Sequence, residues 1–164
     1  MKKWVQLVIT VVILVAADQL TKYWASTSLI HQAIELIPGV FEFHYVENRG
    51  AAFGILQNQQ WFFIIGTIIM MFVLVSMYRK FPLEKRCFWL RVSCMMIISG
   101  AIGNLIDRVK MQYVVDFLYF KLIDFPVFNV ADCYVVVGVG ILILVFFLQK
   151  EMTDELIFAE EKSK

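Results

Sequence analysis

Four long apolar runs constrain the fold of this chain more than any other feature of its sequence. Each is close to the ~20 residues that a helix needs to cross ~30 Å of bilayer hydrocarbon. Because lipid offers the backbone no hydrogen-bond partners, such runs are stable there only as helices. Hydrophobic residues make up 60% of the chain and charged residues 18%, against about 45–50% and about 25% in soluble domains. The sequence therefore predicts an all-α membrane protein, a single domain over residues 1–164, with four transmembrane helices at about residues 4–24, 61–78, 87–106 and 131–148.

The first run resembles a cleaved signal peptide at first sight. Lys2 and Lys3 precede it, and Ala16-Ala17 follows its most apolar part. Cleavage there would remove the polar pair Asp18 and Lys22, and the apolar stretch continues past that point. We therefore predict an uncleaved first span.

Basic residues are divided unevenly between the two sides that four spans define. Cytoplasmic loops of membrane proteins carry an excess of Lys and Arg. With the N-terminus in the cytoplasm, ten basic residues lie on the cytoplasmic side and five on the other. We therefore predict that both termini are cytoplasmic, with residues 149–164 as a surface helix. The ten are Lys2, Lys3, Arg79, Lys80, Lys85, Arg86, Arg91, Lys150, Lys162 and Lys164, and the five are Lys22, Arg49, Arg108, Lys110 and Lys121.

The two connections on the outer side have patterns of their own. Residues 34–56 are typical of strands, because Phe41–Glu47 alternates apolar and polar residues after a Pro38-Gly39 turn signal. A second turn is predicted at Asn48–Gly50. Residues 113–128 are rich in aromatic side chains, which favour the headgroup level of a bilayer. We predict a small β-sheet cradle and an aromatic interfacial segment at the outer surface.

Polar residues gather at the outer ends of the predicted spans. Ionisable groups at membrane depth cost ~2.5 kcal/mol or more, so they usually pair or face a cavity. The predicted topology brings all of them to one level, which indicates one polar site. They are Asp18, Lys22, Asn48, Arg49, Asn104, Asp107, Arg108, Asp116, Asn129 and Asp132.

Some of these residues also have a purely structural interpretation. Asp18 and Lys22 are four residues apart and can form a pair on one helix. Asn129 and Asp132 have the spacing of a capping box at the start of the fourth helix. Asp116 has no such structural explanation, because its neighbours in Val114-Val-Asp-Phe117 are apolar and offer it no partner.

This set of polar residues favours acid–base chemistry by two carboxylates. Two aspartates held close together cannot both ionise cheaply, so they share a proton. One can then take a proton from water while the other protonates a peptide carbonyl and the leaving nitrogen. Asp116 and Asp132 are the candidate pair.

Other chemistries fit less well. Ser99 lies in the third run, but Ile97 stands where a rhomboid-like G-x-S-G needs glycine, and no histidine lies within a run to activate a serine or a thiol. The two histidines, His31 and His44, have no zinc-binding spacing. No Lys/Arg cluster is long enough to form a phosphate-binding stripe, so the sequence predicts no nucleic-acid partner. The three cysteines, Cys87, Cys94 and Cys133, are predicted to be buried thiols.

Five short blocks, taken together, resemble the bacterial lipoprotein signal peptidase family (signal peptidase II). Any one block alone is weak evidence, but all five occur in the family's order and at its spacing. With the four spans they cover nearly the whole chain except the C-terminal tail. The blocks are Asp18-Gln-Leu-Thr-Lys22, Asn48-Arg-Gly-Ala-Ala-Phe53, Gly103-Asn-Leu-Ile-Asp-Arg108, Val114-Val-Asp-Phe117 and Phe128-Asn-Val-Ala-Asp132.

The resemblance implies an aspartic endopeptidase of the bacterial inner membrane. Such an enzyme removes signal peptides from prolipoproteins, cutting just before a diacylglyceryl-modified cysteine. It implies a monomer that works among membrane lipids, needs no metal or other cofactor, and is blocked by the cyclic peptide globomycin. The catalytic pair of the family corresponds to Asp116 and Asp132. Its other motif residues correspond to Asp18, Lys22, Asn48, Gly50, Asn104, Asp107, Arg108 and Asn129.

We expect the supporting residues to shape the site. Asn48, Asn104 and Asn129 would donate hydrogen bonds to the substrate backbone or orient the aspartates. Arg108 with Asp107, and Asp18 with Lys22, would hold the helix ends. The small residues at 50–52 would let the chain pass close to the site.

Three alternatives keep the membrane fold but change the function. A small proton-coupled transporter also carries acidic residues in its spans, yet its ion ligands usually lie near the midplane, whereas these spans are apolar in the middle. A non-catalytic scaffold could use the polar residues as interhelical links. A different intramembrane aspartyl protease would share the chemistry and act on another substrate.

Overall fold

The computed structural model describes residues 1–50 and 56–148, which form four long helices and a small sheet. Within these residues, all four helices are long and apolar enough to cross a membrane, as predicted. The expectations for residues 51 and 52 and for the tail 149–164 lie outside the described ranges. The helices are α1 (Lys2–Ser28), α2 (Gln60–Lys80), α3 (Phe88–Met111) and α4 (Val130–Leu148), and the strands are β1 (Ile34–Ile37), β2 (Phe41–Asn48) and β3 (Val114–Tyr119).

Helix α3 lies at the centre of the bundle, and each of the other three helices packs against it. In the apolar window of the α3 span 56% of the residues are buried, against 11–17% in the other three spans. Those three helices expose large apolar side chains such as Val12, Phe72 and Phe147. Faces of this size belong in hydrocarbon, since a soluble protein rarely exposes them.

Small residues bring α3 and α4 close together. A Cβ atom on Gly100 would collide with the Ala131 carbonyl oxygen, and one on Gly138 would lie 2.7 Å from Cγ1 of Ile97. The Ser93 hydroxyl donates to the Gly138 carbonyl at 2.7 Å. Close backbone approach of this kind is typical of helix packing in membranes. It fixes the first turn of α4 against the side of α3.

Helix α3 continues beyond the end of its apolar run. The sequence predicted an end near residue 106, but the helix ends at Met111. Asp107 and Arg108 therefore lie within the last turns of the helix. A helix can leave the hydrocarbon and continue, because its backbone bonds are internal and its polar side chains find partners outside.

The three strands form one antiparallel sheet in the order β1-β2-β3. The predicted hairpin of β1 and β2 is confirmed, with Gly39 in a left-handed conformation at its turn (φ +70°). Strand β3 was not predicted, because residues 113–128 were assigned to an aromatic interfacial segment. Its Val-Val-Asp-Phe-Leu-Tyr sequence is rich in β-branched and aromatic residues, which is the signal that could have identified it.

An aromatic cluster fixes the sheet to the end of α1. The Trp24 ring meets Phe43 edge-on at 5.3 Å between centroids and Phe117 at 6.2 Å. Ala25 and Leu29 of the same helical end are buried beneath the sheet. Since Phe117 follows Asp116 directly, this packing also sets the position of that aspartate.

Candidate active site

Asp116 lies in the middle of β3, opposite Val46 of β2. Its side chain is 2% exposed. The Asn48 amide, at the end of β2, donates to Oδ2 at 2.8 Å, and the Asn129 amide donates to Oδ1 at 2.6 Å. Both oxygens of this buried carboxylate therefore have a protein donor.

Strand β3 also positions the segment that carries Asn129. Phe128 pairs with Leu118 through backbone hydrogen bonds of 2.8 and 3.0 Å. Asn129 follows Phe128 directly and precedes the first residue of α4. The turn from sheet to helix thus places an amide between the two candidate aspartates.

Asp132 stands in the first turn of α4 and takes part in a reciprocal cap. Its backbone N–H donates to Asn129 Oδ1 at 3.0 Å, and its Oδ2 accepts from the Asn129 N–H at 3.0 Å. Its Oδ1 accepts from the Asn104 amide at 2.8 Å. The predicted capping box is therefore present, and it fixes the position of the carboxylate as well as capping the helix.

A buried lysine orients the Asn104 amide. Lys22 Nζ donates to Asn104 Oδ1 at 2.8 Å, so the NH₂ group of that amide faces Asp132. Lys22 also pairs with Asp18 at 3.0 Å and with Asp107 at 2.8 Å. All three charged side chains are at most 3% exposed. The predicted pair of Asp18 and Lys22 is confirmed as part of a larger cluster.

The two acidic partners of Lys22 each hold the backbone next to one candidate aspartate. Asp18 Oδ1 accepts from the N–H of Ala131, which precedes Asp132, at 2.9 Å. Asp107 Oδ2 accepts from the N–H of Val115, which precedes Asp116, at 3.3 Å. One ion cluster thus sets the positions of both carboxylates.

Gln19 completes this cluster, and the sequence analysis did not single it out. Its amide donates to Asp107 Oδ1 at 2.9 Å and to Asp18 Oδ2 and the Gly103 carbonyl at 3.3 Å each. Its place between Asp18 and Lys22 in the first motif block was the available signal. A Cβ atom on Gly103 would lie 2.5 Å from Asp18 Oδ2, so only glycine fits beside the cluster.

Arg108 and Asp107 contact different partners, although the sequence analysis grouped them at the helix end. Asp107 pairs with Lys22, whereas the Arg108 guanidinium lies 4.8 Å from the centre of the Phe63 ring and donates to the Gly50 carbonyl at 3.5 Å. Consecutive helical residues point about 100° apart, so the two side chains reach different neighbours. The Gly50 N–H in turn donates to Asn48 Oδ1 at 3.0 Å.

A cavity of about 510 Å³ opens onto both aspartates. Its polar wall consists of Asn48, Gly50, Arg108, Asp116 and Asp132, and its apolar wall comes from residues 125–128 and from Cys133, Val136 and Val137 of α4. Cys87 and Cys94 are buried as predicted, but Cys133 is half-buried and lines this cavity. The site can therefore accept an apolar molecule with one polar group directed at the aspartates.

Burial raises the pKa of Asp116 to about 7, and the negative charge of Asp132 acts in the same direction. The hydrogen bonds from Asn48 and Asn129 favour the ionised form and lower the pKa in part. Near neutral pH the pair can therefore hold one proton between two carboxylates. This is the protonation state that a general acid and a general base need together.

Comparison with known proteins gives consistent matches along most of the chain. A family model described as signal peptidase (SPase) II matches residues 10–148. A lipoprotein signal peptidase of Streptococcus thermophilus (strain CNRZ 1066) is 45% identical over 147 residues, covering 87% of this chain and 92% of the relative. One from Streptococcus pyogenes serotype M5 (strain Manfredo) is 38% identical over 145 residues, covering 88% and 94%.

Solved structures agree with these matches. A bacterial membrane enzyme determined by the in meso method at 2.3 Å resolution is 34% identical with a TM-score of 0.76, covering 92% of this chain and 91% of that one. A second, at 1.9 Å resolution, is also 34% identical with a TM-score of 0.74, covering 86% and 92%. The matches confirm the resemblance read from the motif blocks and give no support to the transporter alternative.

We expect Lys22→Met to destabilise the fold strongly. The substitution leaves Asp18 and Asp107 buried without their shared cation, and breaking a buried ion pair from one side costs about 3–5 kcal/mol. Chemical unfolding in detergent micelles measures the loss. Lys110→Met is the matched control, because Lys110 is exposed in the last turn of α3. A loss of stability for Lys22→Met no larger than for the control would contradict the role of the cluster.

Proposed function

We propose that Asp116 and Asp132 are the catalytic pair of this chain, which belongs to the signal peptidase II family and is an aspartic-type peptidase that removes signal peptides from prolipoproteins. The observation that carries this assignment is their shared position. Both carboxylates line one cavity, and each accepts two hydrogen bonds that fix its orientation.

The proposed reaction needs one proton on the pair. Asp116 holds it, because burial and the neighbouring charge raise its pKa to about 7. The ionised Asp132 takes a proton from water, and the hydroxide attacks the peptide carbonyl carbon while Asp116 protonates the carbonyl oxygen. The tetrahedral intermediate then breaks its C–N bond as the nitrogen receives a proton from Asp132, and the diol returns a proton to Asp116.

We propose that the bond cut is the one just before a diacylglyceryl-modified cysteine. The apolar wall of the cavity and the exposed faces of α4 suit acyl chains that remain in lipid. The sheet stands at the other side of the cavity through Asn48 and Asp116, where it can act as a cradle for an extended peptide. A monomer suffices for this reaction, and a peptide that occupies the cavity, as globomycin would, blocks it.

The proposed orientation places the active site at the outer face of the bacterial inner membrane, with both termini in the cytoplasm. The excess of basic residues on the proposed cytoplasmic side supports it.

His31 and Leu83 lie in exposed connections at opposite ends of the bundle. With Cys133 replaced by serine, we expect a membrane-impermeant maleimide to label His31→Cys in intact cells and Leu83→Cys only after lysis. The reverse pattern would invert the topology.

The catalytic assignment is tested by Asp116→Asn and Asp132→Asn. Asparagine keeps the shape of the side chain but cannot exchange a proton, so we expect each variant to lose at least ~10²–10⁴-fold in kcat on a diacylglyceryl-modified prolipoprotein. Cleavage is measured as a shift in the gel mobility of this substrate after incubation with the purified enzyme. Cleavage by wild type should continue when a chelator is present. Asp124→Asn, on the exposed 121–124 turn, is the matched control. Near-normal cleavage by either variant of the pair would make that residue structural.

The pH profile follows from the proton on Asp116. Because the reaction needs this carboxyl protonated, kcat/KM should fall as the pH rises through about 7. The Asn48 amide favours the ionised form, so Asn48→Ala should raise the pKa further and move the falling limb to higher pH. Gln57→Ala, exposed in the loop before α2, should leave the limb where it is. If the fall of kcat/KM in Asn48→Ala occurs at the same pH as in wild type, or at a lower pH, Asp116 is not the acid.

A further inference from the structure

Helices α2 and α4 both pack on α3, and all three line a second cavity toward the end of α4 that is remote from the aspartates. Val136, Ile143 and Phe147 of α4 are seven and four residues apart, so they lie on one face of the helix. Val136 lines the catalytic cavity. Ile143 and Phe147 line a second cavity of about 330 Å³, together with Met77 of α2. One face of α4 therefore connects the two cavities.

We define the groove as the surface between this face of α4 and the facing side of α2, and two glycines leave free space along it. A Cβ atom on Gly140 would meet no other atom within 4 Å, and the same holds for Gly66 of α2. Gly66 lies eleven residues before Met77, which places both on the same face of α2. Val136 and Phe147 are 70% and 76% exposed. Small residues on membrane helices let another helix approach closely, so this groove suits a helix.

We propose that the groove binds the apolar segment of the substrate's signal peptide, and that the second cavity is the site where the far end of that segment docks. The inference rests on the proposed function. The segment is covalently joined to the bond that is cut, so it must leave the catalytic cavity along the enzyme. The second cavity is lined by apolar side chains, which matches a segment that lies in hydrocarbon.

The lengths agree. The apolar part of a signal peptide has about 7–15 residues, which as a helix spans about 10–22 Å. Helix α4 runs fifteen residues from Asp132 to Phe147, or about 22 Å. The α4 residues of the second cavity lie ten to fifteen residues after Asp132, so an apolar segment of about 10–15 residues that starts at the proposed catalytic aspartates reaches that cavity.

The test compares two substrates on variants that fill the groove. Gly140→Leu projects into open space midway, and Ile143→Trp fills the second cavity. Ile13→Trp is the matched control, because it makes the same change at a residue that is 61% exposed on α1 and lines neither cavity. The substrates are a complete diacylglyceryl-modified prolipoprotein and a short lipopeptide that keeps the lipidated cysteine and only the few residues before it.

We expect both groove variants to lose about tenfold in kcat/KM on the complete prolipoprotein, as for a lost apolar contact of this size. Cleavage of the short lipopeptide should stay within about twofold of wild type, as should cleavage of both substrates by Ile13→Trp. Unchanged cleavage of the prolipoprotein would overturn the inference and leave the groove to bulk lipid. An equal loss on both substrates would also overturn it. If wild type cut neither substrate, the proposed function itself would fall.

Discussion

The buried cluster of one lysine and two aspartates around Lys22 is the interaction on which the rest of the site depends. Lys22 pairs with both Asp18 and Asp107, and it orients Asn104 toward Asp132. The two acids hold the backbone just before each proposed catalytic residue. A charge cluster of this kind is costly at membrane depth, so each member must be paired. The pairing stabilises the site and at the same time sets its geometry.

Helix α3 makes this arrangement possible because it contacts every other helix. Gly100 and Gly138 allow α4 to approach α3 closely, and Gly103 leaves room for Asp18 of α1. Polar groups from three helices can then meet at one end of the bundle. The remaining faces of α1, α2 and α4 are free to be apolar, and the groove between α2 and α4 is one consequence.

Asn129 and Asp132 cap a helix and also fix a proposed catalytic carboxylate. Their reciprocal hydrogen bonds cap α4, while the Asn129 amide also reaches Asp116 on the sheet. The structural and functional interpretations of this pair were alternatives at the level of sequence. In the folded protein they are compatible, because a rigid cap is a suitable support for a carboxylate that must not move.

The sequence by itself determined the four membrane helices, the β1–β2 hairpin and the identity of the proposed site residues. Long apolar runs, period-two alternation and motif blocks are local signals, and local physics is enough to interpret them. It did not determine strand β3, the assignment of Asp107 to Lys22 in place of Arg108, the role of Gln19, or the exposure of Cys133 to the cavity. Those depend on which side chains meet across long sequence separations, as for Asn48 and Asp116 or Asp18 and Ala131. Only the tertiary structure decides such contacts, because a polar side chain near a membrane takes whichever partner the packing of helices and sheet brings within hydrogen-bonding distance.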